Sequence, residues 1–544
     1  MAGIPAYKTD LKDISLNDAV GTWVEMQNHK GGGSPVQEQD YFIQGTACVS
    51  QSTGTSTGTA AGMAMDYTTP IPSWRSGYVI LMWQVLLAGN AVFPYAQGGL
   101  RIAIGSSNTA YNLWRVGGSD LGRNPYGGWQ NIAVDPTLSP DYVEGTPAAG
   151  VYQWFGSLPN LAAQISKGNP HGVDALRWGR GALNVSAGEP NNPATFRGMV
   201  AANDAQANRW GLFQGQPGGY LWKGKMQIGS SFSAATSAYF VDANANITVD
   251  NTPKTYREFN KIEFGNTASY IYWTGVNVQA ASATQLSRGI FEIAEDCDAT
   301  LDTCVFTDMD YFTFLSINQS ILNTTFRRCN NVLQSGAVFT SCVFEESTAG
   351  IALSANSLNY ITYCDFTRAT NRGGQSHAIS CNISGSYNFY GNTFNDYGAS
   401  GTVSAAFYNN SGGLITLNVF DGGDSPTVYN APNGSTTDIV LAVSHTLTGL
   451  VSGSEVTYQL QGVTPSAAGA QVYHVENANV PVDIGDLSKG YKTTYSYNFV
   501  ENRDVDIYVH KVGYVWYPIR NQTLTNENQT IPVFQTIDRN YNNP

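Results

Sequence analysis

Leu301-Asp-Thr-Cys304-Val-Phe306 sets a pattern that returns in Ile321-Leu-Asn-Thr324-Thr-Phe326, Phe339-Thr-Ser-Cys342-Val-Phe344, Ile361-Thr-Tyr-Cys364-Asp-Phe366, Phe389-Tyr-Gly-Asn392-Thr-Phe394 and Ile415-Thr-Leu-Asn418-Val-Phe420. An apolar residue is followed three positions on by Cys, Thr or Asn, and five positions on by Phe. Successive Phe residues stand 20, 18, 22, 28 and 26 apart. A period near twenty with drifting length is the mark of a solenoid whose strands keep register while its loops vary. Parallel coils stack at roughly 4.8 Å, so equivalent side chains form columns. The Phe residues make one column, the aliphatic residues another, and compact Cys304, Thr324, Cys342, Cys364, Asn392 and Asn418 fill a tight corner. The competing reading is an antiparallel sandwich in which the Phe spacing is coincidence.

The chain of 544 residues exceeds one ordinary core and is long enough for about three domains. Only 13% of residues are charged, while Gly (57) and Tyr (31) are abundant, a β-rich and not a disordered composition. The net charge of −13 argues against nucleic-acid binding, which wants a basic face. The start, Met1-Ala-Gly-Ile-Pro-Ala-Tyr-Lys, lacks the basic and apolar regions of a secretory signal, so synthesis and retention in a cytosol are expected. The longest apolar run, Val79 to Ala88, contains Gln84 and falls short of the ~20 residues of a membrane helix; it reads as a strand buried on both faces. Seven cysteines, six of them from Cys297 onward, show no CxxC or Cys/His spacing, so neither a metal nor a cofactor is expected. Cys342 and Cys364 would fall within disulfide reach on adjacent coils, but parallel side-chain directions and a reducing cytosol favour free thiols.

Nine of the eleven tryptophans lie between Trp23 and Trp222, which marks a separate N-terminal domain over 1–235. Strand-like segments divided by Gly- and Asn-rich turns predict a β-sandwich there, jelly-roll or lectin-like. Trp114, Tyr126 and Trp129 sit among Gly, Asn and Arg in a stretch that reads as loop. They are candidates for stacking on sugar rings, against the alternative that large aromatics belong to the core. Tyr239-Phe-Val241, Ile247-Thr-Val249 and Phe259 to Phe264 read as strands entering the solenoid, which with its lead-in cap spans 236–435. Beyond it, Tyr495, Tyr497 and Phe499, then Val505, Ile507 and Val509, alternate with polar residues. This predicts a half-buried antiparallel sheet and an immunoglobulin- or fibronectin-like sandwich over 436–544.

Glu292, Glu295, Asp296, Asp298, Asp302, Asp308 and Asp310 form the densest carboxylate group. Two acids flanking a bond are what glycoside hydrolysis requires, so Glu295, Asp296, Asp298 and Asp302 are the candidates for a glycan hydrolase. No Arg or His in the run would tune them, and solvated loop acids are the plainer reading. The six histidines are scattered, with no HExxH, nucleophile elbow or phosphate loop. Asn-x-Ser/Thr sequons such as Asn184, Asn246 and Asn323 read as Asn-rich turns.

With the solenoid, the alternating C-terminal strands and the closing Asp538-Arg539-Asn540-Tyr541 in view, the chain resembles virion structural proteins of tailed bacteriophages. Leu301 to Met309, Thr324 to Cys329 and Phe339 to Thr348 carry the resemblance. It implies an all-β virion appendage or capsid decoration built on a right-handed parallel β-helix, made in the host cytoplasm. It also implies contact with other virion proteins, a homotrimer, and a surface that meets host glycan. No catalytic residue carries over. The alternatives are a tailspike-like glycan depolymerase and a non-catalytic glycan adhesin.

Overall fold

The computed structural model describes residues 3–52, 61–69, 71, 77–86, 100–116, 128–159, 170–205, 208–229, 236–250, 261–265, 269–280, 289–420, 422–431, 434–441, 445–451, 453–461, 471–478, 482–483, 492–494, 503–524 and 529–540. Their regular secondary structure is almost entirely β-strand, 53% strand against 3% helix. The chain divides into two compact units, Met1–Gln319 with Arg328–Asn330, and Ser320–Arg327 with Asn331–Pro544.

The first unit begins with two antiparallel sheets. One orders Gln130–Val134, Val79–Leu86, Pro170–Gly179, Cys48–Ser52 and Val36–Glu38. The other orders Tyr142–Glu144, Ala110–Val116, Leu100–Ser107, Trp154–Pro159, Met63–Asp66 and Trp23–Glu25. Alternation aims Ile80, Met82, Ile132 and Val173 of the first at Met65, Ile102, Ile104, Trp114 and Phe155 of the second, in one shared core. Val79–Leu86 is a central strand buried on both faces, as its apolar run around Gln84 predicts: Ile80 and Met82 face that core, while Trp83 and Val85 join a second cluster.

Parallel pairing starts inside the 1–235 segment, where Ala182–Ser186 runs beside Lys225–Ile228. Three ladders then grow by one strand per coil. The first ladder adds Lys261–Phe264, Ile290–Ile293 and Tyr311–Phe314. The second runs Gly219–Trp222, Asn246–Val249, Asn277–Ala280 and Val305–Thr307. The third runs Tyr239–Ala243, Tyr270–Thr274 and Asp298–Asp302. Antiparallel strands close the open starts of two ladders, Ala6–Thr9 on Ala182–Ser186 and Phe213–Gln216 on Gly219–Trp222. Such capping protects strand edges that would otherwise pair with other chains. The helix Phe196–Asp204, N-capped by the Thr195 hydroxyl, lays Phe196 against Phe213, Phe240 and Trp273 at 5.6, 5.1 and 5.0 Å and hides the apolar cross-section.

In the second unit the Phe column is explicit. Phe326 pairs with Phe344, Phe344 with Phe366 and Phe366 with Phe394. The rings stack at 4.9, 4.7 and 5.4 Å, each within 14° of parallel. Those separations match the coil rise, so each ring buries its faces against its equivalents for about 1.5–3 kcal/mol of transfer free energy. Beside them Ile321, Phe339 and Ile361 form the second column.

The corner residues tie the coils together unequally. Cys342 Sγ donates to the Ile321 carbonyl at 3.3 Å and Asn392 Nδ2 to Ile361 at 2.9 Å, each reaching back one coil to the apolar position there. Cys304 and Cys364 Sγ lie 3.7 and 3.9 Å from the Trp273 and Phe339 carbonyls one coil back, and 3.6 and 3.3 Å from Asp302 and Thr362 of their own coil. Thr324 Oγ1 donates within its own coil, to the Leu322 carbonyl. The residue before each corner, Thr303, Asn323, Ser341, Tyr363 or Gly391, has φ between 48° and 58°, so the chain turns through a left-handed residue that Asn or Gly adopts with least strain. All seven cysteines are buried free thiols. Burial pushes the Cys364 thiol well up, and its contact with Cys342 adds to that.

Two expectations need correction. The sixth repeat is out of register: Leu414–Phe420 pairs with Gly385–Tyr390 through Ile415↔Gly385, Asn418↔Asn388 and Phe420↔Tyr390. Ile415, Leu417 and Val419 take the inward positions there, and Phe420 stacks on Tyr390 outside the Phe column. Asn418 bonds Ser386 and Asn388 at the surface and is no corner. The Asn184 sequon is also no turn, since Asn184 is buried within a strand.

This longer-stranded parallel sheet runs on through Thr436–Leu441, past the expected boundary at 436. Beyond it, Val505, Ile507 and Val509 point inward from Arg503–His510, the predicted alternation, in an antiparallel sheet with Ser454–Leu460, Gln471–Ala478 and Tyr517–Leu524. A smaller sheet mixes directions, His445–Thr448 running parallel to Gln529–Pro532 and antiparallel to Val482–Asp483. Phe259, Tyr495, Tyr497, Phe499 and Tyr541 lie outside the described residues.

Candidate functional site

The carboxylates at 292–310 are spread around the coil. Glu292 projects from the first ladder in a column of alternating charge, where Lys225 meets Glu263 at 2.8 Å and Lys261 bridges Glu263 and Glu292. Burial works against ionisation of Glu263, but the Lys225 and Lys261 ammoniums outweigh it and hold the carboxyl below its usual range. Asp308 is 3% exposed and receives Nε and Nη2 of Arg328, both at 3.0 Å, a bidentate fork. Asp310 accepts from Asn330 Nδ2 at 3.0 Å. These partners arrive from other coils, which is why the local sequence shows no tuning residue.

Asp298 and Asp302 begin and end one strand of the third ladder. Four residues of strand separate them by roughly 13 Å, beyond the ~5–9.5 Å of paired glycosidase carboxylates. Asp302 instead accepts from the Thr303 hydroxyl at 2.9 Å. Glu295 and Asp296 occupy the exposed turn before Cys297.

Two of the three aromatic candidates, Trp114 and Trp129, are buried and offer no stacking surface. Trp114 is 0% exposed, inside the hairpin strand Ala110–Val116 and aimed into the core between the antiparallel sheets, with Nε1 donating to the Leu138 carbonyl at 3.3 Å. Trp129 is 3% exposed and packs with Tyr41, Ile43 and Trp83. Asn112 and Arg115 belong to the strand Ala110–Val116, and Asn131 to Gln130–Val134, so the aromatics beside them alternate into the core. Tyr126 lies outside the described residues.

A different cluster stands in the second unit, on the segment 368–376 that joins Asp365–Thr367 to His377–Cys381. Arg368 N donates to the Asn395 carbonyl at 3.1 Å, Arg368 Nη2 to the Arg372 carbonyl at 2.6 Å, and Arg372 Nη1 to the Ser347 carbonyl at 2.9 Å. Both Nε–H groups are buried without a hydrogen-bond partner, and among the described residues no carboxylate forms an ion pair with either guanidinium. Burial and the neighbouring Arg368 together hold Arg372 below the usual guanidinium range.

His377, 1% exposed, stacks on Tyr408 at 4.9 Å and on Tyr429 at 5.6 Å. Its Nδ1 lies 2.7 Å from the Ala405 carbonyl. A carbonyl only accepts, so Nδ1 carries the proton and Nε2 is left as a bare acceptor, buried and unpaired. Burial holds His377 neutral against the pull of that carbonyl, and the Arg368 charge adds to the effect. Burial also pushes the Tyr397 phenol up, with Arg368 pulling part of the way back. The sequence carried one signal of this cluster: both arginines fall within the 28-residue coil between Phe366 and Phe394, the longest in the series.

No protein-family model matches the chain, and no curated protein matches it. Solved structures with some likeness include an arabinose-bound GH51 α-L-arabinofuranosidase, 13% identical over 29% of this chain and 23% of that one, with a TM-score of 0.20. A carbohydrate-binding module that recognises mannan, TmCBM27, is 15% identical over 32% of this chain and 98% of its own, with a TM-score of 0.19. The catalytic domain of a GH87 α-1,3-glucanase in complex with nigerose is 11% identical over 77% and 88%, with a TM-score of 0.17. TM-scores this low establish neither a shared fold nor a shared activity.

Proposed function

We propose that the chain is a structural component of a tailed-bacteriophage virion, an appendage or capsid decoration that contacts other virion proteins and presents a face to host glycan. Its shaft is a right-handed parallel β-helix, preceded by a jelly-roll- or lectin-like sandwich and followed by an immunoglobulin-like one. The observation that supports this most is the repeated register, in which Phe326, Phe344, Phe366 and Phe394 pair coil on coil and Cys342 and Asn392 each bond back one coil. Side chains placed to fix coil on coil describe a rigid shaft.

Assembly as a homotrimer draws support from the C-terminal region. Val512, Val515, Trp516, Phe534 and Ile537 are each at least 49% exposed. The Tyr514↔Ile537 bridge and the Val515 N to Thr536 carbonyl bond bring the two segments that carry them together. Contiguous exposed apolar area marks an interface, and closed rotational symmetry gives each copy the same contact. Light scattering on the purified full chain is expected to give three times the 58.6 kDa chain mass; a monomer at micromolar concentration overturns the trimer. Incubation with host capsule or lipopolysaccharide is expected to release no oligosaccharide, and reproducible release would transfer the reading to a depolymerase acting through Glu295, Asp296 or Asp298.

A further inference from the structure

The antiparallel sheet of Ser454–Leu460, Arg503–His510 and Tyr517–Leu524 turns Val505, Ile507 and Val509 inward, so alternation sets Asp506, Tyr508 and His510 in a row on its other face. Register places Glu455 opposite His510, and Thr457 and Pro518 on either side of Tyr508. Trp516, just before the last of these strands, closes down on that row. Its ring centroid lies 6.0 Å from that of Tyr508 and 6.3 Å from that of His510, at 66° and 62° to their planes. Aromatic planes thus meet in a corner, and the corner is open, since Trp516 remains 61% exposed.

Polar groups are fixed along the same row. The Arg520 guanidinium stands 5.2 Å over the Tyr508 ring, and its Nη1 donates to the Tyr508 hydroxyl at 3.0 Å and to Asp506 at 2.8 Å. Asp506 also accepts from Gln461 Nε2 at 2.8 Å and from Asn521 N at 3.1 Å. These bonds, that of Gln461 foremost, hold the Asp506 carboxyl below its usual range. At the other end His510 Nδ1 lies 3.6 Å from a Glu455 oxygen. The side chains of Arg520, His510 and Glu455 are 59%, 51% and 48% exposed, so donors and acceptors already held in place face water on either side of the aromatic corner.

Charge narrows the ligand. Arg520 is the one permanent cation among these six residues, and Asp506 neutralises it, while Glu455 adds a further acid and the whole chain carries −13. An oxyanion finds no net attraction there. An aromatic corner accepts the C–H-rich face of a sugar ring, and preset donors and acceptors beside it accept hydroxyls. A neutral sugar offers both in one molecule.

We propose that Tyr508, Trp516 and Arg520, with Asp506, His510 and Glu455 around them, form a binding site for a neutral hexose unit of a glycan. The ring lays its C–H face on Trp516 in the corner with Tyr508, and its hydroxyls meet Arg520 on one side and Glu455 on the other. The site rests on the glycan contact proposed above and gives it a place. It leaves Val512, Val515, Phe534 and Ile537 for the contact between copies.

Isothermal titration of the full chain with neutral oligosaccharides of glucose, mannose and galactose tests it, with oligogalacturonate as the acidic arm. At least one neutral oligomer is expected to bind, with an affinity indifferent to salt and the acidic oligomer at least ~10-fold weaker. Trp516→Ala is expected to weaken binding ~10-fold or more, Trp516→Tyr to restore part of it, and Arg520→Gln to weaken it by less. Circular dichroism and light scattering accompany each variant, and both are expected to be unchanged. Binding that survives Trp516→Ala overturns this site and leaves the glycan contact standing. Loss of the assembled mass together with the sugar in Trp516→Ala assigns the ring to the contact between copies and also overturns the site. Preference for the acidic oligomer, or affinity that falls as salt rises, overturns the neutral-sugar assignment. No binding of any neutral oligomer overturns the site and the glycan contact together, while the trimer is read separately from the mass.

Discussion

Phe344 and Trp114 are buried to the same depth, 2% and 0% exposed, but their surroundings are built differently. The neighbours of Phe344 are Phe326 and Phe366, the same residue one coil before and one coil after. Those of Trp114 are Ile102 across a hairpin and core residues from the opposite sheet, with no common spacing. In the parallel coils a core position is defined by repetition, so one good residue predicts the next. In the antiparallel sheets it is defined by partners scattered over more than a hundred residues, and each burial is a separate fact.

The strongest test of that contrast places a charge in the repeating column. Phe344→Asp leaves a carboxylate between two rings with no partner, a cost of several kcal/mol that is expected to prevent folding of the second unit. Soluble protein with an unchanged circular dichroism spectrum would break the register.

A weaker effect comes from the antiparallel region. Burial pushes Asp174 up to about 7, although Ile43, Gln44 and Ala175 donate backbone N–H groups to it and recover part of the penalty. An ordinary unfolded Asp titrates near ~3.9. The folded state therefore binds the proton more tightly, and the stabilisation is complete below pH ~4 and lost as pH rises through about 7. Urea denaturation between pH 4 and pH 8 should show the loss, and Asp174→Asn should flatten it. A profile unchanged in the Asn variant would assign the dependence to other groups.

The smallest effect sharpens the account of the coils. Thr303 is β-branched and held at φ 55°, so Thr303→Gly should relieve strain and raise stability by about 0.5 kcal/mol. A melting temperature that falls in this variant would mean that the Thr303 hydroxyl bond to Asp302 outweighs the backbone strain.

Repetition also explains what the sequence revealed. The columns from Phe306 to Phe394 were legible because large aromatics recur at one offset. Earlier coils carry the same offset in Trp273, Val276 and Val278, paired with Leu301 and Phe306, but a template anchored on Phe passes over Ile247 and Val278. Phe420 fits the local pattern and misses the register, because Gly385–Tyr390 and Leu414–Phe420 are longer strands whose pairing slides by four residues. The acids at 292–310 looked like a group only in one dimension, since wrapping the chain sends Glu292 to one face, Asp302 to another and Asp308 to a corner beside Arg328. The contacts of Arg372 with Ser347 and of His377 with Tyr408 were hidden for the converse reason: each joins residues that only the winding of the coils brings together.

The side-chain bonds at the corners cross from coil to coil in both directions. Asn392 donates through Nδ2 to the Ile361 carbonyl and accepts through Oδ1 from Cys364 N, while Cys342 Sγ donates to the Ile321 carbonyl. A coil at the end of such a stack leaves both a donor and an acceptor without a neighbour, as a zip fastener leaves its last tooth open. A further coil in the same register would meet both.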